Sequence, residues 1–322
     1  MNTLRAIIGF GFLVILVACG DEEQVVAPKE PKFFTSDIEL FWEVYEASDD
    51  LSATNFQQLY IDRGTKGLKD YAQQKDLAPT LKTNLSKESY TLYYDAVKKN
   101  TLDMSLTISV SRHAFLDLAE IYPSTTFHNV YFLIGGMTAG GRVSDSGLLI
   151  AVEMFAKDDQ TPTEGLGVWL QSVTREKEYL PSVVVHEFVH MQQRFTSTNS
   201  EYVTTLEQSI REGMADFVSY YMLGDQPFMN EHLHTYGNEI EEELWKEFEL
   251  EMNANFRSTE WLYSGGNTSE GHPADMGYYV GFKILEAYSA TFPSVEDAIH
   301  AMLENKNYVE IFERSKYGEQ FD

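Results

Sequence analysis

In Val185-His186-Glu187-Phe188-Val189-His190-Met191, two histidines stand four residues apart in a segment that begins at Pro181 and is otherwise apolar. On a helix that spacing stacks both imidazoles on one face, at a separation a single zinc ion can bridge. Glu187, about 100° further round the helix, points beside such an ion rather than at it. A carboxylate there can take a proton from metal-bound water and hand it to a leaving amine. The competing reading is a pair of packed or surface histidines with a helix–helix salt bridge.

A second segment decides between them. Arg211-Glu212-Gly213-Met214-Ala215-Asp216-Phe217 puts Glu212 and Asp216 on one helical face. Thr204 and Thr205 offer N-caps, Glu207 and Gln208 complete either capping box, and Gly224 stands where a terminating glycine belongs. Glu212 falls where an antiparallel helix after a short connection would deliver a third ligand. Two histidines and one glutamate leave a coordination position for water, the pattern of a catalytic zinc, with one Zn2+ expected per chain. Asp216 is placed to accept the other ring N–H of a ligating histidine and so fix its tautomer.

These residues resemble the gluzincins, the thermolysin-like clan, in which an HExxH helix is followed by a helix bearing Glu-x-x-x-Asp; His186, Glu187, His190, Glu212 and Asp216 match that pattern. More narrowly, the chain looks like a family of zinc-dependent proteases assigned to a domain of unknown function. That likeness runs from about Phe34 to Phe292 through Arg63-Gly64, Ser144 to Ile150, the two motif helices and Pro273 to Tyr279. The resemblance implies a zincin-like fold and a zinc metallopeptidase with Glu187 as general base. Such chemistry also needs a donor to the developing oxyanion. His272, Tyr278 and Tyr279 are the candidates, with ordinary packing or capping as the alternative for each. Leu148 to Phe155 corresponds to the edge strand on which gluzincins bind substrate by main-chain pairing, unless it is covered on both edges. The remaining histidines, His113, His128, His232, His234 and His300, read as surface or helix residues.

The elements that must position this chemistry follow from periodicity. Ser36 opens a helix with Phe41, Trp42, Val44 and Tyr45 on its apolar face, and helical stretches punctuated by Gly64 and Gly67 run to about Asn100. Asn129 to Ile134 and Leu148 to Phe155 are the best strands, joined by a Gly/Ser loop from Gly135 to Gly147. Helical periodicity then covers Pro181 to Phe195, Thr205 to Leu223, Asn238 to Met252 and Met276 to Thr291. The acid-rich stretch from Glu239 to Glu251 carries Leu244, Phe248 and Met252 at spacing four, the solvated face of an amphipathic helix.

Ala6 to Val17 is an uncharged apolar run after Arg5, too short to span a bilayer and suited to a secretory signal. It ends in Leu16-Val17-Ala18-Cys19, which resembles a bacterial lipobox and implies cleavage before Cys19, lipidation there and tethering to a membrane. The acidic run after it resembles outer-surface export signals of some Bacteroidetes lipoproteins. Cys19 is the one cysteine, so no internal disulfide forms. Removal of the leader leaves 23 basic and 50 acidic side chains, a charge of −27, which argues against a nucleic-acid partner.

The sequence therefore predicts a mostly helical α+β protein: a signal peptide over residues 1–18, a flexible stalk over 19–35, a helical region over 36–125, and a zincin-like catalytic domain over 126–322. The expected activity is hydrolysis of peptide or protein substrates by zinc-activated water at the cell envelope, from a lipid anchor in the outer membrane, with surface exposure. An intact Glu187 favours this over two rivals, a non-catalytic zinc-containing surface lipoprotein that binds a partner and a hydrolase of a non-peptide amide such as a peptidoglycan cross-link.

Overall fold

A computed structural model describes residues 29–47, 50–264 and 272–321. The leader and Cys19 lie outside these residues. The N-terminal half is helical as expected: α1 (Ser36–Ala47), a short α2 (Ala53–Asn55), α3 (Lys66–Lys75), α4 (Leu77–Leu85), α5 (Glu88–Leu102) and α6 (Ser105–Ile121). The buried Asp37 side chain joins α1 to the start of α3 by accepting from the backbone N and the hydroxyl of Thr65, at 2.9 and 2.5 Å. Thr65 in turn caps α3 through Leu68 N.

Four short strands form one sheet in the order β1-β2-β4-β3. They are β1 (Phe33–Phe34), β2 (Asn129–Leu133), β3 (Gly141–Ser144) and β4 (Gly147–Ala151). β1 and β4 run parallel to β2 on its two sides, and β3 returns antiparallel to β4 through Asp145-Ser146. Phe33 and Phe34, within the segment expected as a stalk, thus belong to the sheet. Adjacent strand residues face opposite ways, and both faces are covered. Phe33 stacks on Phe115 of α6 and on Phe132, while Phe34 stacks on Tyr131. Against Tyr131 lies Gly67 of α3, where a Cβ would come within 2.2 Å of the ring.

This topology corrects the strand expectations. Leu148 to Phe155 does not supply an edge, because β4 is paired on both sides and its last four residues form the 3₁₀ turn Val152–Phe155. The edge strand beside β4 is β3, inside the stretch expected as a loop, and β1 forms the other edge.

The C-terminal half comprises α7 (Val168–Val173), α8 (Leu180–Gln192), α9 (Thr205–Leu223), α10 (Glu231–Gly237), α11 (Glu241–Glu251), α12 (Met276–Ser289), α13 (Val295–Glu304) and α14 (Tyr308–Ser315). Pro181 lies in the first turn of α8, where its missing N–H costs nothing. The capping box predicted for α9 forms between Thr204 and Glu207. α9 and α12 cross at Gly213 and Gly281, where a Cβ on Gly213 would lie 2.2 Å from the Gly281 carbonyl carbon and one on Gly281 1.8 Å from the Ser209 oxygen. Phe188 of α8 stacks on Phe115, tying the helix pair to the α6 side of the sheet.

Candidate metal centre

One helical turn of α8 brings the His186 and His190 rings to 4.6 Å, nearly perpendicular to each other. α9 runs antiparallel beside it, since His186 meets Asp216, His190 meets Glu212 and Gln193 meets Arg211. Both imidazole Nε2 atoms face Glu212 Oε2, at 3.3 Å from His186 and 3.1 Å from His190. The three ligand atoms lie within 4.8 Å of one another.

The surrounding contacts define what each ring presents. His186 Nδ1 donates to Asp216 Oδ1 at 2.7 Å, and His190 Nδ1 donates to Gln193 Oε1 at 2.9 Å. In a neutral imidazole whose Nδ1 carries the proton, Nε2 is a bare acceptor. Two such nitrogens and a carboxylate oxygen then converge with no hydrogen between them, an arrangement suited to a cation. The cation is either a proton on a ring or a metal ion, and the donor set suits zinc.

Glu212 and His186 are almost inaccessible to solvent. Burial opposes the Glu212 charge, but the facing His190 and His186 outweigh it and hold the carboxyl well below its usual range. Burial likewise opposes charge on His186, and its hydrogen bonds to the Asp216 and Glu212 carboxylates reverse the effect, raising its pKa well above the ordinary value. Glu212 Oε1 accepts from Gln208 at 2.9 Å and from the Tyr263 hydroxyl at 2.6 Å. Asn230 donates to Asp216 Oδ2 at 2.7 Å.

The centre opens into a cleft of about 720 Å³. Glu187 lines it and packs against β3, where a Cβ on Gly141 would fall 2.5 Å from Glu187 Oε1. Tyr278, in the first turn of α12, also lines the cleft and stacks on His186 with ring centroids 6.1 Å apart. Tyr279 points the other way, wholly buried against Gly237, and donates to Asn238 Oδ1 at 3.1 Å. Successive helical residues diverge by about 100°, so only one of the two tyrosines can face the cleft. His272 is buried beside Trp261, with Nδ1 donating to the Pro273 carbonyl at 2.8 Å, and does not line the cleft.

Beside the cleft-lining Met154 lies a second buried carboxylate, Glu153. Its Oε1 accepts from the backbone N atoms of Gly135 and Met137 at 2.9 Å each, and its Oε2 has no partner. Burial pushes its pKa up to about 7 against the pull of those donors.

Sequence reasoning missed Gln193, Gln208, Asn230 and Tyr263, whose roles depend on tertiary proximity. The i, i+3 spacing of His190 and Gln193 was a local signal for one of them. It also set aside His232, which is exposed and lines the cleft.

The family model described as gliding motility protein GldB matches residues 35–319. No curated protein and no solved structure matches the chain. The matched family is one of lipoproteins, which makes this chain a lipid-anchored protein of the cell envelope. The same match overturns three expectations. The chain is assigned to the GldB family and not to a gluzincin family, gliding motility replaces peptide hydrolysis as the family's role, and the assignment as a zinc metallopeptidase falls with it. The physical reason is that paired HExxH and Glu-x-x-x-Asp helices specify where three ligands meet, while turnover depends on features the motif does not encode.

Proposed function

The chain belongs to the family of the gliding motility protein GldB, and from that membership we propose a non-catalytic, partner-binding lipoprotein of the gliding apparatus whose His186–His190–Glu212 centre holds one zinc ion. The observation that carries the metal is the convergence of two imidazole Nε2 atoms and Glu212 Oε2, with both Nδ1 atoms already committed to acceptors. Bound there, zinc would cross-link α8 to α9. The zincin-like pairing of these helices then serves as scaffold, and the cleft beside it as the seat of a protein partner. Asp216 and Gln193 would orient the two rings, and Gln208 and Tyr263 the carboxylate.

The anchor would be the lipidated Cys19 in the outer membrane, with the acidic residues that follow favouring display at the cell surface. The test combines metal analysis with gliding. Purified full-length protein is expected to carry zinc near one per chain, His190→Ala and Glu212→Ala to lose it, and cells bearing either variant to lose gliding. Wild-type protein that takes up no zinc, or cells with His190→Ala that glide normally, would overturn the reading.

A further inference from the structure

Three arginines, Arg142 on β3, Arg175 after α7 and Arg211 on α9, line the cleft, and none forms an ion pair within 4 Å among the described residues. Elsewhere cations find carboxylates, as in Arg63–Glu43, Arg194–Glu304, Lys157–Glu176 and Lys283–Glu286. That is the expected outcome in a chain with 50 acidic and 24 basic side chains. In the cleft, Arg142 Nε donates to the neutral amide of Gln74 at 2.7 Å, and Arg175 reaches only the backbone oxygens of Ser172 and Thr174. The Nε of Arg211 is buried without any partner. All three residues are half-buried.

The carboxylates that also line the cleft pair with none of these arginines among the described residues. Glu212 faces the histidines, Asp275 accepts from Tyr263 N, and Glu187 packs against Gly141. A guanidinium partly withdrawn from water with no counter-charge is destabilising. An incoming anion that satisfies its fork of donors removes that cost.

We infer that the cleft selects an acidic polypeptide segment, whose carboxylates pair with Arg142, Arg175 and Arg211. This rests on the reading of the cleft as a partner-binding seat and specifies the partner's chemistry. A polypeptide fits better than a lipid headgroup or a glycan for two reasons. β3 borders the cleft and has no strand partner on its outer side among the described residues, so an extended chain can pair with it through its backbone. Phe155, Trp169, Val173, Met229 and Leu233 give apolar contact between the charged points.

The test is fluorescence anisotropy on the full-length, detergent-solubilised protein with a labelled oligoglutamate peptide and a matched oligoglutamine peptide. Oligoglutamate should bind at least about tenfold more tightly and weaken steeply with salt. Arg142→Gln and Arg211→Gln should each weaken it about tenfold, and the triple Arg→Gln variant should abolish the preference, with thermal unfolding and zinc content unchanged. Arg142→Gln and Arg175→Gln, measured separately, keep the result readable should the triple variant fail to fold.

Equal affinity for the two peptides overturns the inference, as does a triple variant that folds and still prefers oligoglutamate. Displacement of the peptide by anionic phospholipid vesicles and not by an excess of unlabelled oligoglutamate would replace the polypeptide with a membrane surface and overturn it too. The two readings fail separately. Arginine-dependent binding in a chain that holds no zinc removes the metal and leaves the acidic segment. Zinc at one per chain in the parent protein and gliding loss in His190→Ala, without peptide preference, do the reverse.

Discussion

Two buried carboxylates, Glu212 lining the cleft and Glu153 next in sequence to the cleft-lining Met154, meet opposite fates. Glu212 faces two imidazoles and two further donors, and its pKa is driven well below the usual carboxylate range. Glu153 has two backbone N–H donors for one oxygen and nothing for the other, and its pKa rises to about 7. Both are buried to within a few per cent of completely. Burial therefore does not determine the charge state; the number and charge of the partners does. The α8–α9 centre is a charged assembly that needs all of its members, whereas the Glu153 site is a single group near its titration point at neutral pH.

The comparison breaks most visibly if one member of the assembly is removed. Glu212→Ala leaves His186, still held by Asp216, without its facing carboxylate, and should destabilise the metal-free protein by about 3 to 5 kcal/mol. Urea unfolding in the presence of chelator measures it, and a loss under about 1 kcal/mol would mean that the centre is not electrostatically coupled.

The Glu153 side predicts a pH dependence of opposite origin. Its folded pKa of about 7 lies above the ordinary 4.5, so the folded chain holds the proton more tightly than the unfolded one. The associated stability is fully present below about pH 4.5 and is lost as pH rises through 7, roughly 3 kcal/mol in all. Glu153→Gln keeps an acceptor for Gly135 and Met137 and should flatten this contribution, leaving the variant more stable than the parent at pH 8. An unchanged pH profile from urea titrations would remove Glu153 as its source.

Geometry can be separated from charge at the α9–α12 crossing. Gly213→Ala changes no polar partner of Glu212, but its methyl meets the Gly281–Phe282 backbone within 2.3 Å. A loss of about 1 to 3 kcal/mol from overpacking is expected, together with weaker zinc uptake as Glu212 is displaced. Stability lost with zinc affinity intact would show that the centre tolerates movement of α9. The smallest effect belongs to Tyr263→Phe, which deletes one hydrogen bond to Glu212 Oε1 and should cost about 1 kcal/mol with zinc stoichiometry unchanged.

The two regions also differ in how far they could be read from the sequence. His186, His190, Glu212 and Asp216 were legible because each pair sits four apart on its own helix, and helical spacing converts directly into a shared face. Pro181, the Thr204 capping box and Gly224 marked the limits of those helices locally. Glu153 carried no such signal. It follows a strand whose burial on both edges depends on β2 and β3, and its donors come from a loop 16 and 18 residues upstream. β3 was hidden among glycines, although Asp145-Ser146-Gly147 is a recognisable hairpin turn, with Gly147 at φ +134°.

What the motif did not convey was purpose. On the proposed reading His186-Glu187-x-x-His190 with Glu212 makes a place for a cation, and such a geometry can serve a scaffold as readily as a hydrolase. The separation of metal holding from hydrolysis rests on Glu187, the one residue in the pair of motifs that a scaffold can spare.

Gliding of cells carrying Glu187→Gln, in protein verified to retain its zinc, tests the account most directly. Gliding at the parental rate is the result predicted for a non-catalytic centre. Loss of gliding with zinc still bound at one per chain would contradict it.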